Sequence, residues 1–168
     1  MTNDQQASTT VKESKGLLPL IFYWKGHYVN TVTLNPKIPI NTFTTAFQSY
    51  ANSKQLKQKL NGQKIELTIE QVPTIFMIDD KWQLVWFIYA FGWDIFSVVP
   101  EKNDMVLSYR MSKDNSETKK GTITIPDQNT ALEHLRRVKE GTWDYMNQYD
   151  EAIKAMAKKT VDKIIGEL

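Results

Sequence analysis

The sequence contains no cysteine, which excludes disulfides, thiolate metal sites and cysteine nucleophiles. It has only two histidines, His27 and His134, and neither belongs to a metal-binding spacing. Its seven glycines form no phosphate-binding loop, and no serine lies in a Gly-x-Ser-x-Gly elbow. The short motifs that most often identify metal, nucleotide and serine-hydrolase sites are therefore missing, and we expect no cofactor and no bound metal.

The sequence also lacks an excess of charge and a long apolar segment. With 21 basic and 19 acidic residues, the formal net charge is +2, too small to attract nucleic acid over a distance. The apolar run at residues 84–93 is half the length of about 20 residues that a membrane-spanning helix needs. We therefore expect no nucleic-acid partner and no transmembrane segment.

Residues 75–99 contain three of the five tryptophans, Trp82, Trp86 and Trp93, among phenylalanine, tyrosine and branched side chains. Such residues favour β-strands and bury much apolar area. We interpret the segment as three antiparallel strands, with turns at 79–81 and 92–94, and we expect Trp86 to be buried.

The segments on either side of this meander predict further strands and one internal helix. Apolar and polar residues alternate over 64–72, as is typical of a half-buried strand, and apolar residues recur at helical spacing over 42–60. The remaining expected elements are a hairpin at 17–34 with its turn at Lys25–Gly26, an extended connector containing Pro36 and Pro39, strands at 105–111 and 121–125, and a charged loop at 113–120.

The last third of the chain predicts helices. A short helix over 129–139 should end at Gly141–Thr142, before a long helix over 143–166 with an apolar stripe. The helix would be about 36 Å long, so we expect its last two turns, with Ile164, Ile165 and Leu168, to be uncovered and either frayed or dimer-forming.

Together these elements predict an α+β fold. An antiparallel sheet of about six or seven strands, made from the N-terminal hairpin and the central meander, would be packed by one internal helix and the long C-terminal helix. A two-layer β-sandwich with an appended helix is the alternative. We expect residues 17–168 to form a single domain.

Residues 1–16 are polar and predict a flexible tail. The tail is compatible with a cytoplasmic N-terminus. It is also compatible with the spacer of a bacterial lipoprotein, with Met1 standing where the lipidated cysteine would be and a lipid anchor at the native N-terminus. We favour the lipoprotein interpretation, which predicts a periplasmic or membrane-anchored protein of the cell envelope.

The sequence carries no specific catalytic signature, but it offers four candidate carboxylates, Asp79, Asp80, Asp94 and Glu101. Asp94 lies among aromatic residues, and its pKa would be raised if it were buried; a water-facing bend is the alternative. We favour a non-enzymatic module that binds a protein partner or a second copy of itself. A small-molecule binding domain or a carboxylate-dependent enzyme with an aromatic cleft is the alternative. The candidate ligand or partner surface comprises Trp86, Trp93, Asp94, Ile164 and Leu168.

Overall fold

The computed structural model of the protein describes residues 8–13, 22–86, 89–114, 116–135 and 138–168. Within them the chain forms eight strands and three helices. In chain order the elements are β1 (Ser8–Glu13), β2 (Phe22–Thr33), α1 (Lys37–Ser53), α2 (Leu56–Lys59), β3 (Lys64–Gln71), β4 (Ile75–Trp86), β5 (Ala90–Pro100), β6 (Met105–Lys113), β7 (Ser116–Ile125), β8 (Leu132–Leu135) and α3 (Val138–Glu167).

All strand pairs are antiparallel, and the strands form two sheets. One sheet has the order β1-β2-β4-β5-β8, and the other has the order β3-β6-β7. The predicted α+β class, with antiparallel strands, an internal helix and a long C-terminal helix, is confirmed. The strands are divided between two sheets, where we expected one.

The chain separates into two compact units, and each is made of three segments. The first unit comprises residues 1–33, 75–101 and 130–147, and it contains the five-stranded sheet. The second unit comprises residues 34–74, 102–129 and 148–168, and it contains the three-stranded sheet with α1 and α2. Whether residues 17–168 fold as one domain stays a prediction.

The predicted turns in the first unit are wrong, because β2, β4 and β5 are long continuous strands. Lys25 and Gly26 lie within β2, residues 79–81 lie within β4, and residues 92–94 lie within β5. The meander therefore has two strands instead of three. Successive residues of a strand point to opposite faces, so charged residues can occupy a strand interior when they alternate onto a face that water reaches.

Three expectations near the ends of the chain also need correction. Residues 8–13, within the expected flexible tail, form β1 and pair with β2. Residues 132–135, within the expected short helix, form β8 and pair with β5, so His134 lies in a strand. Helix α3 begins at Val138 and continues through Gly141 and Thr142. A glycine inside a helix costs about 1 kcal/mol; Gly141 is buried one turn before the buried Tyr145.

In the second unit, two predictions that rested on prolines and on charged residues are wrong. Helix α1 begins at Lys37 and includes Pro39 in its first turn, where a backbone N–H has no intrahelical partner and proline is tolerated. Strand β7 begins at Ser116, so most of the expected charged loop is strand. The predicted strands over 64–72 and 105–111 are confirmed as β3 and β6.

One side of the last turns of α3 is buried and polar contacts hold them, so the expectation of an uncovered end is wrong for Ile164. Ile164 is 0 % exposed, whereas Leu168 is exposed. Lys163 Nζ donates to the carbonyl oxygen of Thr124 at 2.8 Å, and Lys119 Nζ lies 2.5 Å from Glu167 Oε2. These contacts attach the last turns of the helix to β7.

Candidate functional site

One face of the five-stranded sheet carries a group of aromatic and acidic side chains. The register places Trp24 opposite Leu84 and Gly26 opposite Trp82, and Trp86 lies two residues beyond Leu84 on the same strand. On the neighbouring strand, Asp94 lies opposite Trp82. Because directly opposite residues project to the same side of a sheet, these side chains share one face. We call it the tryptophan face and define it by Trp24, Asp80, Trp82, Leu84, Trp86 and Asp94.

The ring of Trp82 lies over Gly26 on the neighbouring strand. A Cβ atom added at Gly26 would be only 1.9 Å from Trp82 Nε1, so no other residue fits at position 26 with the ring in place. The glycine that suggested a turn in the sequence instead provides the flat backbone on which the indole rests.

This side of the sheet is exposed to solvent around Trp82 and Trp86 and is buried around Phe76. Phe96 and Val98 are buried, and the ring of Phe76 lies 5.3 Å from that of Tyr145 on α3. Trp82 is 38 % exposed and Trp86 43 % exposed. The prediction of a buried Trp86 is therefore wrong, because the beginning of α3 packs at the Phe76 end.

Asp80 lies between the two ends, opposite Phe96 and Tyr28. Burial raises the pKa of the Asp80 carboxyl above its ordinary value, and the nearby Asp94 and Asp79 carboxylates raise it further. Asp80 Oδ1 and Asn30 Oδ1, on the same side of the sheet, are enclosed, and neither has a hydrogen-bond partner among the described residues. Asp94 itself is exposed, so the buried carboxyl on this face is that of Asp80.

The opposite face of this sheet carries the basic side chains. His27 Nε2 lies 2.6 Å from Asp79 Oδ1, and Lys81 Nζ lies 2.9 Å from Asp79 Oδ2. Burial acts to raise the pKa of Asp79, but the hydrogen bonds from Lys81 and His27 outweigh it and hold that pKa below its ordinary value. This cluster was not predicted, because both of its segments were interpreted as turns.

The five residues of the candidate surface are not brought together. Trp86 and Asp94 share the tryptophan face, while Trp93 lies opposite Gln83 on the other face. Ile164 and Leu168 belong to the second unit, and Ile164 is buried. Trp24 and Trp82 were not predicted to belong to this surface. Trp24 is two residues from Gly26 and Trp82 is two residues from Leu84, and this spacing places each pair on the same face of a strand.

Three cavities lie elsewhere. The largest of them, about 610 Å³, lies in the second unit and is lined by hydroxyl side chains of α1 and by Asp150, Lys154 and Lys158 of α3. Lys154 Nζ is 2.7 Å from Asp150 Oδ2, so much of its charge is already balanced. The others, of about 570 and 260 Å³, are lined by residues of β3, β6 and β7 and by residues around Phe76. None of the three includes Trp82, Trp86 or Asp94.

Two further observations concern metals and membranes. In the part of the chain that the structure describes, no three or more His, Asp or Glu side chains are grouped to hold a metal ion. None of the described helices is both long and apolar enough to span a bilayer.

The tryptophan face is thus an open aromatic surface bordered by two carboxylates. Comparison of the chain with protein-family models, with characterised proteins and with solved structures finds no match.

Proposed function

We propose that the protein is a non-catalytic binding module, and that its tryptophan face binds a partner protein through a basic and apolar segment. The observation that supports this most directly is the exposure of Trp82 and Trp86 beside Asp94. Tryptophan is enriched among the residues that dominate binding energy at protein interfaces. Exposed apolar patches of this kind commonly mark interaction sites.

The charge of the face determines the chemistry of the partner. Its two charged residues with described side chains, Asp80 and Asp94, are both acidic, and the basic Lys25, His27 and Lys81 lie on the other face. No described basic side chain pairs with either carboxylate. An arginine or lysine of a partner could pair with Asp94 and lie against an indole ring, which is a favourable arrangement for a cation.

The same charges disfavour self-association through this face. In a two-fold symmetric dimer the same surface is used by both copies, so carboxylates would meet carboxylates. A different protein that supplies positive charge therefore fits this face better than a second copy of the chain does.

A carboxylate-dependent enzyme is less well supported. The raised pKa of Asp80 beside Asp94 resembles the pairing used in acid–base catalysis. However, Asp80 Oδ1 is enclosed, and the three cavities described above are lined by other residues. A flat, open face suits a protein surface better than a small substrate.

The test is selection of short random peptides on the immobilised protein, followed by fluorescence anisotropy with the enriched peptides. We expect these peptides to combine arginine or lysine with apolar residues and to bind more weakly as salt is added. Trp82→Ala should raise Kd about 30-fold, the loss of roughly 2 kcal/mol that is typical of a hot-spot tryptophan. Asp94→Asn should weaken binding and reduce its salt dependence.

Matched controls exist elsewhere on the chain. Trp143 is exposed on α3 and Asp114 is exposed after β6, so Trp143→Ala and Asp114→Asn should leave Kd unchanged. Enriched peptides that bind equally well to wild type and Trp82→Ala, or that are acidic, would contradict the proposal.

We also propose, from the polar N-terminal sequence, that the module belongs to the cell envelope and carries a lipid anchor. Strand β1 occupies six of the sixteen residues assigned to the spacer, which leaves the spacer shorter than expected. Partition of the natively expressed protein into the detergent phase would support the anchor, and recovery of all of it from the cytoplasmic fraction would contradict it.

A further inference from the structure

Two buried oxygen atoms in the second unit receive no hydrogen bond from the residues that the structure describes. Asn129 is 1 % exposed and Asp127 is 7 % exposed. Asn129 Oδ1 and Asp127 Oδ2 are enclosed, and neither accepts a hydrogen bond from the described residues. Buried acceptors normally have a partner, and the exceptions need an explanation such as a bound ion or water.

The two side chains are joined by a local network. Asn129 donates to Asp127 Oδ1 from its backbone nitrogen at 2.9 Å and from Nδ2 at 2.6 Å. The backbone nitrogen of Asp127 in turn donates to Asp104 Oδ1 at 3.1 Å. All of these donors are used by Asp127 Oδ1 and Asp104 Oδ1, so the remaining oxygens of Asn129 and Asp127 need an external partner.

The network also has uncompensated negative charge. Asp104 precedes β6 and Asp127 follows β7, at the end of the hairpin where Met105 pairs with Ile125. Among the described residues, no lysine, arginine or histidine forms an ion pair with either carboxylate. Buried charges are normally paired with an opposite charge or coordinate a metal.

We propose that Asp127 Oδ2 and Asn129 Oδ1 bind a divalent cation of the calcium class, with Asp104 adding a carboxylate at the solvent side. Carboxylate and amide oxygens are the ligands that Ca²⁺ prefers, and its flexible coordination suits an irregular loop. Mg²⁺ demands near-octahedral geometry and keeps its waters, so it fits an enclosed pair less well. Two carboxylates and one amide make a weak site, with Kd of about 10⁻⁴–10⁻³ M.

Calorimetric titration of the EDTA-treated protein with CaCl₂ and with MgCl₂ tests the site. We expect one calcium site in the stated range, weaker binding of Mg²⁺, and a melting temperature that rises with Ca²⁺. Asp127→Asn should abolish the calcium response, whereas the control Asp114→Asn should retain it.

A second variant, Asn129→Asp, tests the calcium site even if Asp127→Asn does not fold. Without calcium this variant should melt at a lower temperature, because its third carboxylate replaces the donor to Asp127. With calcium it should recover and bind the ion more tightly than wild type, because affinity rises with ligand charge. No calcium binding by wild type up to about 10 mM, ten times the upper Kd expected for such sites, together with no recovery of Asn129→Asp, would overturn the proposal and leave a water molecule as the partner.

Discussion

Asp80 and Asp79 are neighbours in β4, and their environments move their pKa values in opposite directions. Asp80 faces the partly buried side of the sheet next to another carboxylate, while Asp79 faces His27 and Lys81. The two residues therefore contribute to stability with opposite dependence on pH, although the sequence presents them as an equivalent pair.

Asp80→Asn should stabilise the protein at pH 7. An acid whose folded pKa is raised costs stability once pH rises above its unfolded value, and a neutral amide does not carry that cost. Removing an unsatisfied buried acceptor is worth about 1–3 kcal/mol, and each 1 kcal/mol shifts the melting temperature by about 2–4 °C at this size. Melting curves should show the gain shrinking as pH falls toward the ordinary carboxyl value of 3.8; a gain independent of pH would contradict this account.

Asp79→Asn should have the opposite effect. Because the folded pKa of Asp79 is lowered, its ionised form contributes stability that is present above the unfolded value and is lost as pH falls through the folded value. The variant should therefore be less stable than wild type at pH 7, and the difference should begin to shrink near pH 3.8 and vanish only below the lowered folded value. Equal melting temperatures at pH 7 would show that the contacts with His27 and Lys81 contribute nothing.

Gly26→Ala should displace the ring of Trp82. The new Cβ would overlap the indole, and because Trp82 is partly exposed the ring can move outward, at a cost of about 1–3 kcal/mol for overpacking. The indole N–H resonance of Trp82 should shift in an NMR spectrum. Gly92→Ala is the control, since its Cβ would meet Leu84 Cδ1 at 3.4 Å, an ordinary contact. An unchanged Trp82 resonance in Gly26→Ala would contradict the observed packing.

At the scale of whole elements, strands were predictable where alternation matched burial. In β3, apolar Ile65, Leu67 and Ile69 alternate with exposed residues, and this pattern was sufficient. In β4 the charged residues 79–81 interrupt the apolar pattern, and their partner His27 lies 52 residues away. A distant ion pair leaves no periodic signal in the sequence, so these residues looked like a turn.

The contacts at the C-terminal end of helix α3 were also not predictable from periodicity, because they join segments that are distant in sequence. Its apolar stripe and a strand at 121–125 were predicted from the sequence, but the contact between β7 and the last turns of the helix was not. Ile164→Ala should cost about 2–5 kcal/mol as a buried large-to-small change, while Leu168→Ala should stay within about 0.5 kcal/mol as a surface change. Urea unfolding measures both values, and a loss under about 1 kcal/mol for Ile164→Ala would restore the idea of an uncovered end.

For the whole molecule, composition and periodicity were enough to predict the α+β class and the long C-terminal helix. They could not predict the division into two sheets, because strand pairing joins segments far apart in sequence. The candidate site was only partly predicted for the same reason. Trp86 and Asp94 were identified, but which of the two faces each residue occupies follows from the register.

The interleaving of the two units has a consequence for how the protein is made. The chain passes between the units five times, and each unit takes its last segment from beyond residue 129. Proteins often fold one unit at a time, from the N-terminus, as they leave the ribosome. Here neither unit is complete until α3 has been synthesised, since Tyr145 covers Phe76 in one and Ile153 and Val161 lie in the core of the other. The nascent chain must therefore carry the strands of both sheets without their helical cover until α3 has been synthesised.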